Sequence, residues 1–372
     1  MLRGGFIGFG RMGITHFSIL NSHESARIVA VCDNSKTLMN VLSKYVDIRT
    51  YSDYREMLKS ERLDFVMVST PTGSHAKVIK EAIYNNLHVF TEKPFTLTPE
   101  EGREALEHLE GRNLVNQVGY VNRFNEVFME VKRLLNAGMI GEIKNFSSEM
   151  YGPTVLKDSK GNWRGKRTMG GGCMYEFASH CIDLVVYLLD QPQKVAGSIM
   201  QSIYSSGVDD LVMSNFVYNN GCSGTIMVNW SDETYRKPTN IIKIFGTKGK
   251  IIADRHMYKI FMKQADSTNG FHQGWNTRYI TDFAKSVRFY VRGNEFTRQL
   301  DYFVNCIKES LSDNISSFAE AHKTDVIMDN IRQDAARVLV TQAAGPQTSS
   351  VLTNSDRPTI WKKFSNLIGR KR

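Results

Sequence analysis

No stretch of about 18 consecutive apolar residues occurs in the 372-residue chain, so no membrane-spanning helix is expected. The N-terminus, MLRGGFIGFGRMG, lacks the charged-then-apolar layout of a signal peptide and runs straight into a strand pattern. Five cysteines, Cys32, Cys173, Cys181, Cys222 and Cys306, form no CxxC and show no zinc-finger spacing. They are expected to be reduced thiols of a cytoplasmic protein. The net charge is +9, but it is unevenly spread. Arg357, Lys362, Lys363, Arg370, Lys371 and Arg372 against Asp356 place +5 of it in residues 344–372. The remaining +4 lies over the body without the basic stripe that nucleic-acid binding requires. A mildly basic body is compatible with an anionic cofactor and substrate. With 41% hydrophobic and 23% charged residues, the chain has the composition of an ordinary globular protein, long enough for about two domains.

What is present begins with glycine. Residues 3–8 read as a buried strand, and GFGRMG follows, so that Gly8, Gly10 and Gly13 form G-x-G-x-x-G. Arg11 and Met12 open the next helix. A second strand, RIVAVCD, ends in Asp33, twenty residues beyond the last glycine. At that offset an acidic group meets the ribose hydroxyls of NAD and repels a 2′-phosphate, which disfavours NADP. Gly8 allows the tight turn, Gly10 lets the backbone approach a diphosphate, and Gly13 lets the helix pack closely. The helix N-terminus then offers free N–H groups to the phosphates. Further strands at 64–70, 88–95 and 115–120 alternate with helices. One helix carries Thr98 as N-cap, Pro99 in the first turn and Glu101 at the capping-box position. Such alternation implies an α/β fold with a doubly wound parallel Rossmann sheet, whose ligands sit beyond the strand carboxyl ends. Thr70, Pro71, His75, Glu92, Lys93 and Pro94 are therefore expected near the nicotinamide end. His75 and His16 could line the cofactor cleft, but packing inside the protein is the favoured reading for each.

At TEKP the sequence resembles the Gfo/Idh/MocA family of sugar and cyclitol oxidoreductases. The resemblance spans residues 3–343 and rests on GFGRMGITH, the Asp33 strand end, STPTGSH, HVFTEKP, GYVNRFN, GEI, WR, GGG-x₃-E-x₃-H-x₂-D and FGTKGKI, in order. It implies that Lys93 lies beside the substrate hydroxyl, and that His180 and Glu176 complete a catalytic set. The family usually has aspartate where this chain has Glu176. The resemblance also implies substrate contacts for Arg123, Trp163 and Arg164. Chemistry supports the set independently. Oxidising a secondary alcohol needs a proton acceptor, and a histidine titrates in the required range. A carboxylate four residues earlier on a helix can orient the imidazole. An ammonium stabilises a developing alkoxide. Some relatives use NAD transiently to cleave glycosidic bonds, and a non-catalytic NAD-binding regulator is a third alternative, though a regulator would be expected to lose Lys93 and His180. Asp183 is expected to pair locally on its helix. No metal is expected, since Cys173 and Cys181 do not share a helical face with Glu176 and His180.

The pattern changes near residue 121. Residues 1–120 are expected to bind the dinucleotide, and 121–343 to form an α+β substrate-binding and oligomerisation domain. FNEVFMEVKRLLNAG is an amphipathic helix, and the following strands with NNG and GTKG turns read as a mainly antiparallel sheet. Val212, Phe216, Ile226, Val228 and Ile242 alternate as its buried face. By the resemblance, the other face meets a second subunit, giving a homodimer or homotetramer. A basic loop, Lys157, Lys160, Arg164, Lys166 and Arg167, is suited to a substrate phosphate or carboxylate, as in a nucleotide sugar. Residues 345–359 read as a linker. Ile360, Trp361, Phe364, Leu367 and Ile368 then form one helical face, so that 358–372 could touch a membrane surface weakly.

Overall fold

The structure is a computed structural model that describes residues 1–154 and 163–344, with side chains through 337. The basic-loop residues Lys157 and Lys160, and the amphipathic tail, lie outside the described residues. The first half alternates as expected: β1 (Leu2–Ile7), α1 (Arg11–Asn21), β2 (Ala26–Cys32), α2 (Lys36–Tyr45), β3 (Arg49–Tyr51), α3 (Tyr54–Ser60), β4 (Phe65–Val68), α4 (His75–Tyr84), β5 (His88–Thr91), α5 (Pro99–Leu109) and β6 (Asn116–Val118). The six strands form one parallel sheet in the order β3-β2-β1-β4-β5-β6. The order reverses between β1 and β4, which opens a crevice at their carboxyl ends. Short runs such as FVMV are buried on both faces, as a sheet covered on both sides demands. Thr98 caps α5 by accepting from the Glu101 amide, and Glu101 returns a bond to the Leu97 amide. The expected cap is therefore present, with the return bond one residue early.

The second half contains α6 (Glu126–Asn136), β7 (Ile143–Tyr151), α7 (Ser179–Leu189), β8 (Lys194–Gln201), β9 (Leu211–Val217), β10 (Ser223–Asn229), β11 (Ile241–Gly246), β12 (Gly249–Ala253), β13 (Met257–Met262), β14 (Gly274–Tyr279), α8 (Asn294–Glu309) and α9 (Phe318–Ala344). Its eight strands order as β14-β13-β12-β11-β7-β10-β9-β8, antiparallel except for the β7–β10 pair. Val212, Phe216, Ile226, Val228 and Ile242 all lie on the buried face, packed with α6 and α7. The opposite face leaves Ile199, Val217, Phe245, Trp275 and Tyr279 exposed. The stretch Arg167–Leu189, which ends in α7, is long and apolar enough to cross a membrane. Its 78% burial between the other elements accounts for that composition.

The chain does not divide cleanly at residue 121. Phe296, Leu300, Phe303, Val304 and Ile307 of α8 pack on Phe6, Phe65 and Phe90 of the first sheet, beside Phe17 and Leu20 of α1. The sheet's other face is covered by α3, α4 and α5. One cover of the dinucleotide-binding half is thus supplied from near the end of the chain.

Candidate active site

A cleft of about 1350 Å³ opens at the carboxyl ends of β1, β2, β4 and β5 and extends toward α7 and the second sheet. Its floor is the glycine turn. Gly8 has φ +89°, and a Cβ there would meet the Ser69 carbonyl at 2.8 Å. A Cβ on Gly13 would sit 2.4 Å from the Gly8 carbonyl oxygen, so α1 packs directly on the turn. A Cβ on Gly10 would meet nothing within 4 Å, so its backbone faces open space, as close approach of a diphosphate requires. Arg11, Met12, Thr70 and Pro71 line the same region. Asp33 lies in the cleft at the end of β2, where its carboxylate accepts from the amides of Phe9 (2.6 Å) and Ser35 (2.8 Å). A carboxylate has about four lone-pair sites, so two remain for ribose hydroxyls. The residues present therefore fit NAD.

Two histidines near this floor serve the scaffold. His75 is fully buried and does not line the cleft, so it is the packed histidine of the favoured reading and not a cofactor contact. Its Nδ1 lies 3.0 Å from the Pro94 carbonyl and its Nε2 2.9 Å from the Thr70 carbonyl, so the ring ties the two cleft loops together. Burial pushes its pKa below the ordinary value, and a neutral ring can donate at only one of these contacts. His16 is buried as well and meets Glu92 Oε1 at 2.5 Å. Glu92 itself lines the cleft, and its carboxyl is held below the ordinary range: burial opposes ionisation, but His16 and Lys93 outweigh it.

Lys93 follows at the end of β5, joined to Pro94 by a cis peptide bond. Two residues on, the Thr96 amide and hydroxyl both donate to Asp325 Oδ2 on α9, at 2.9 and 2.8 Å. The loop is thereby fixed at both its histidine and its aspartate contacts. Lys93 Nζ donates to the Glu176 carbonyl (3.1 Å) and more weakly to that of Tyr175 (3.4 Å). Its distance to Glu176 Oε1 is 3.7 Å, and the other carboxylate oxygen accepts from Arg164 Nε at 3.3 Å. Arg164 in turn stacks over Trp163, 4.7 Å from its ring centre. Lys93, Trp163, Arg164, Glu176 and His180 all line one end of the cleft.

Glu176 does not orient His180, as its spacing suggested. It sits in a π-helical turn, Met174–Ala178, immediately before α7. Its carboxylate is engaged by Lys93 and Arg164 instead. His180 Nδ1 is buried with no hydrogen-bond partner among the described residues, with the Tyr120 ring edge-on at 6.4 Å. Burial, then the charges of Lys93 and Arg255, hold the His180 pKa well below the ordinary imidazole value. The ring is therefore neutral at physiological pH, with its other nitrogen toward the cleft.

Arg123 departs from expectation entirely. It is about 1% exposed and lies outside the cleft. Its Nε and Nη2 grip Asp183 at 2.9–3.1 Å, while Nη1 donates to the Ile315 carbonyl and to Glu320. Asp183 is thus a partner from 60 residues away, not a local helix contact. The pair joins the segment after β6 to α7, and Arg123 borders a separate cavity of about 480 Å³. Of the described basic-loop residues, Arg164 lines the cleft, whereas Lys166 and Arg167 are exposed outside it. Among the described residues, no group of three or more His, Cys, Asp and Glu is disposed to hold a metal ion.

Several cleft residues escaped the sequence analysis. Asn122 and Asn240 are both about 4% exposed and line the cleft. Asn122 is the immediate neighbour of Arg123 in GYVNRFN, and of the two it is Asn122 that lines the cleft. Arg255, paired with Glu295, lies at the end of β12 and carries no motif at all.

A doubly wound sheet with an open glycine turn, an acidic β2 end and a second sheet closing the cleft defines a dinucleotide-binding protein of Rossmann type. Residues 2–120 match the oxidoreductase family model with an NAD-binding Rossmann fold. Residues 128–252 match the model of the GFO/IDH/MocA C-terminal domain. The chain therefore belongs to the Gfo/Idh/MocA family of NAD-binding oxidoreductases. It is 26% identical over 303 residues to scyllo-inositol 2-dehydrogenase (NAD(+)) of Bacillus subtilis, covering 76% of this chain and 85% of that one. It is 29% identical over 189 residues to an uncharacterized oxidoreductase of Schizosaccharomyces pombe, where the match spans only 50% of this chain and 51% of the relative. Its fold matches levoglucosan dehydrogenase in complex with NADH and levoglucosan, with TM-score 0.79, 21% identity, and coverage of 90% of this chain and 97% of that one.

Proposed function

We propose that the protein oxidises a secondary hydroxyl of a sugar or nucleotide sugar, with NAD as the hydride acceptor. The observation that carries this is the convergence, at one end of the NAD cleft, of a neutral imidazole and a lysine ammonium. His180 takes the hydroxyl proton on its cleft-facing nitrogen while the carbon gives up its hydride. Lys93 holds the developing alkoxide, and its rigid tether through Pro94, Thr96 and Asp325 keeps the ammonium in place without reorganisation. Glu176 positions the Lys93 ammonium through its carbonyl and carboxylate instead of acting on His180. Trp163 and Arg164 form a wall of the substrate space. Asn122 and Asn240 supply amides for additional substrate hydroxyls. The named dehydrogenase relatives, which act on inositol and levoglucosan, support a polyhydroxylated substrate.

A panel of free sugars, cyclitols and UDP-, GDP- and TDP-sugars, monitored for NADH formation, tests the proposal. Net NADH with one class supports it. Bond cleavage without net NADH would establish transient use of the cofactor instead. We further propose that the open face of the eight-stranded sheet, with Ile199, Phe245 and Trp275 exposed, joins a second copy of the chain. A stable monomer by size-exclusion chromatography with light scattering would remove that assembly.

A further inference from the structure

The segment between β14 and α8 runs back along α1. Arg288 closes the C-terminal end of α1, donating to the Ile19 carbonyl (3.0 Å) and to Ser22 Oγ (2.7 Å). Its Nε pairs with Asp301 of α8 at 2.9 Å. From α8, Arg298 donates to the Lys285 carbonyl and Thr297 to the Phe289 carbonyl, so the segment is pinned on both sides. Four residues after Arg288, Arg292 is at the opposite end of α1. Its Nη1 is 3.5 Å from Met12 Sδ, and its guanidinium lies over the Phe296 ring at 5.4 Å. An 11-residue helix is about 16 Å long, a span that four extended residues and an arginine side chain cover. The strap thus delivers a cation from the far end of the sequence to the amino end of the first helix.

Arg292 lines the cleft with Gly10 and Arg11. Arg255, a third arginine near this position, is paired with Glu295. Among the described residues, neither Arg11 nor Arg292 has a carboxylate within ion-pair distance. Burial and then the Arg11 charge disfavour the protonated form of Arg292. Two cations that repel each other, beside a glycine turn open to space, are satisfied by an anion with at least two charges. We propose that Arg292, together with Arg11, binds the diphosphate of the dinucleotide, so that the cofactor is gripped by both halves of the chain. Bidentate guanidinium contacts to phosphate are the strong form of such bonds.

Binding is measured in the absence of substrate, so the outcome is independent of the proposed reaction. NAD, ADP-ribose and adenosine are titrated calorimetrically onto wild type, Arg292→Ala and Arg292→Lys. The expected result is a loss of roughly ten- to hundredfold in affinity for NAD and ADP-ribose in Arg292→Ala, with adenosine unaffected. Arg292→Lys should fall between, and the dependence of NAD affinity on salt should flatten in Arg292→Ala. An unchanged ADP-ribose affinity overturns the proposal. So does an equal loss for adenosine, which carries no phosphate and would report a displaced strap. A UDP titration onto the NAD-saturated protein separates the other source of a diphosphate, a nucleotide-linked substrate. Weakened UDP binding with intact ADP-ribose binding would also overturn the assignment.

Discussion

Replacing Arg123 with methionine should damage the fold and leave substrate binding nearly intact. Both members of the Arg123–Asp183 pair are about 1% exposed, and three guanidinium contacts of 2.9–3.1 Å satisfy the carboxylate. Removing one partner of such a buried pair typically costs about 3–5 kcal/mol, because the other charge is left without water or counter-ion. Asp183 gives the loss a characteristic pH dependence. Burial raises its pKa from 3.8 to about 6 even with Arg123 present, and loss of Arg123 would raise it further. A carboxyl whose folded pKa lies above its unfolded value binds more protons when folded, so its penalty grows as pH rises. The deficit of Arg123→Met should therefore be largest at pH 7 and above, and shrink as pH falls toward 4. Urea unfolding at a series of pH values measures it directly, with KM for the substrate determined on the folded variant. Replacing both partners, Arg123→Met with Asp183→Leu, should recover part of the loss, since no charge is then stranded. An unchanged unfolding midpoint together with a raised KM would refute this account and return Arg123 to the substrate site.

The remaining predictions concern the cleft. Lys93→Met should lower kcat by on the order of 10²- to 10³-fold while NAD affinity, read by fluorescence titration, stays within twofold or so of wild type. Retained turnover would remove the alkoxide role. The acid limb of kcat against pH should have its midpoint below the ordinary histidine value of 6.5, because burial, Lys93 and Arg255 all disfavour the His180 imidazolium. A limb at or above 6.5 would contradict a proton acceptor in this setting. The same shift makes His180 a source of instability only as pH falls below 6.5, where the unfolded chain takes up the proton first. Asp33→Ser should lower the preference for NAD over NADP by on the order of tenfold or more, measured as the ratio of kcat/KM values, since a 2′-phosphate would no longer face a carboxylate.

The first sheet was legible because its signals are local. Strand runs, the glycine turn and the Thr98 cap each declare themselves within about a dozen residues. The buried face of the second sheet was legible by the alternation of Val212, Phe216, Ile226 and Val228. What escaped depends on long-range pairing. Nothing in NEFTRQLDYFVNCIKE says which sheet its apolar stripe covers, and α8, within 121–343 by position, packs on the first sheet. The spacing of Glu176 and His180 suggested a shared α-helical face. A π-turn at 174–178 and two competing cations, Lys93 and Arg164, redirected the carboxylate. The resemblance marked Arg123 as a motif residue without distinguishing a substrate contact from a buried strut. His75 shows the same ambiguity, since a histidine tying two loops lies as near a cleft as one lining it.

The return of α8 has a consequence for synthesis. The nucleotide-binding half leaves the ribosome before α8, yet Phe65 and Phe90, whose rings pack edge-on against Phe303, lack that cover until residues 294–309 have emerged. Residues 119–293 must be made before the first sheet is closed on this face, so the nascent chain presents the surface of these rings to chaperones over that interval. A premature stop anywhere before α8 would release that surface permanently, whatever remained of the cofactor motifs.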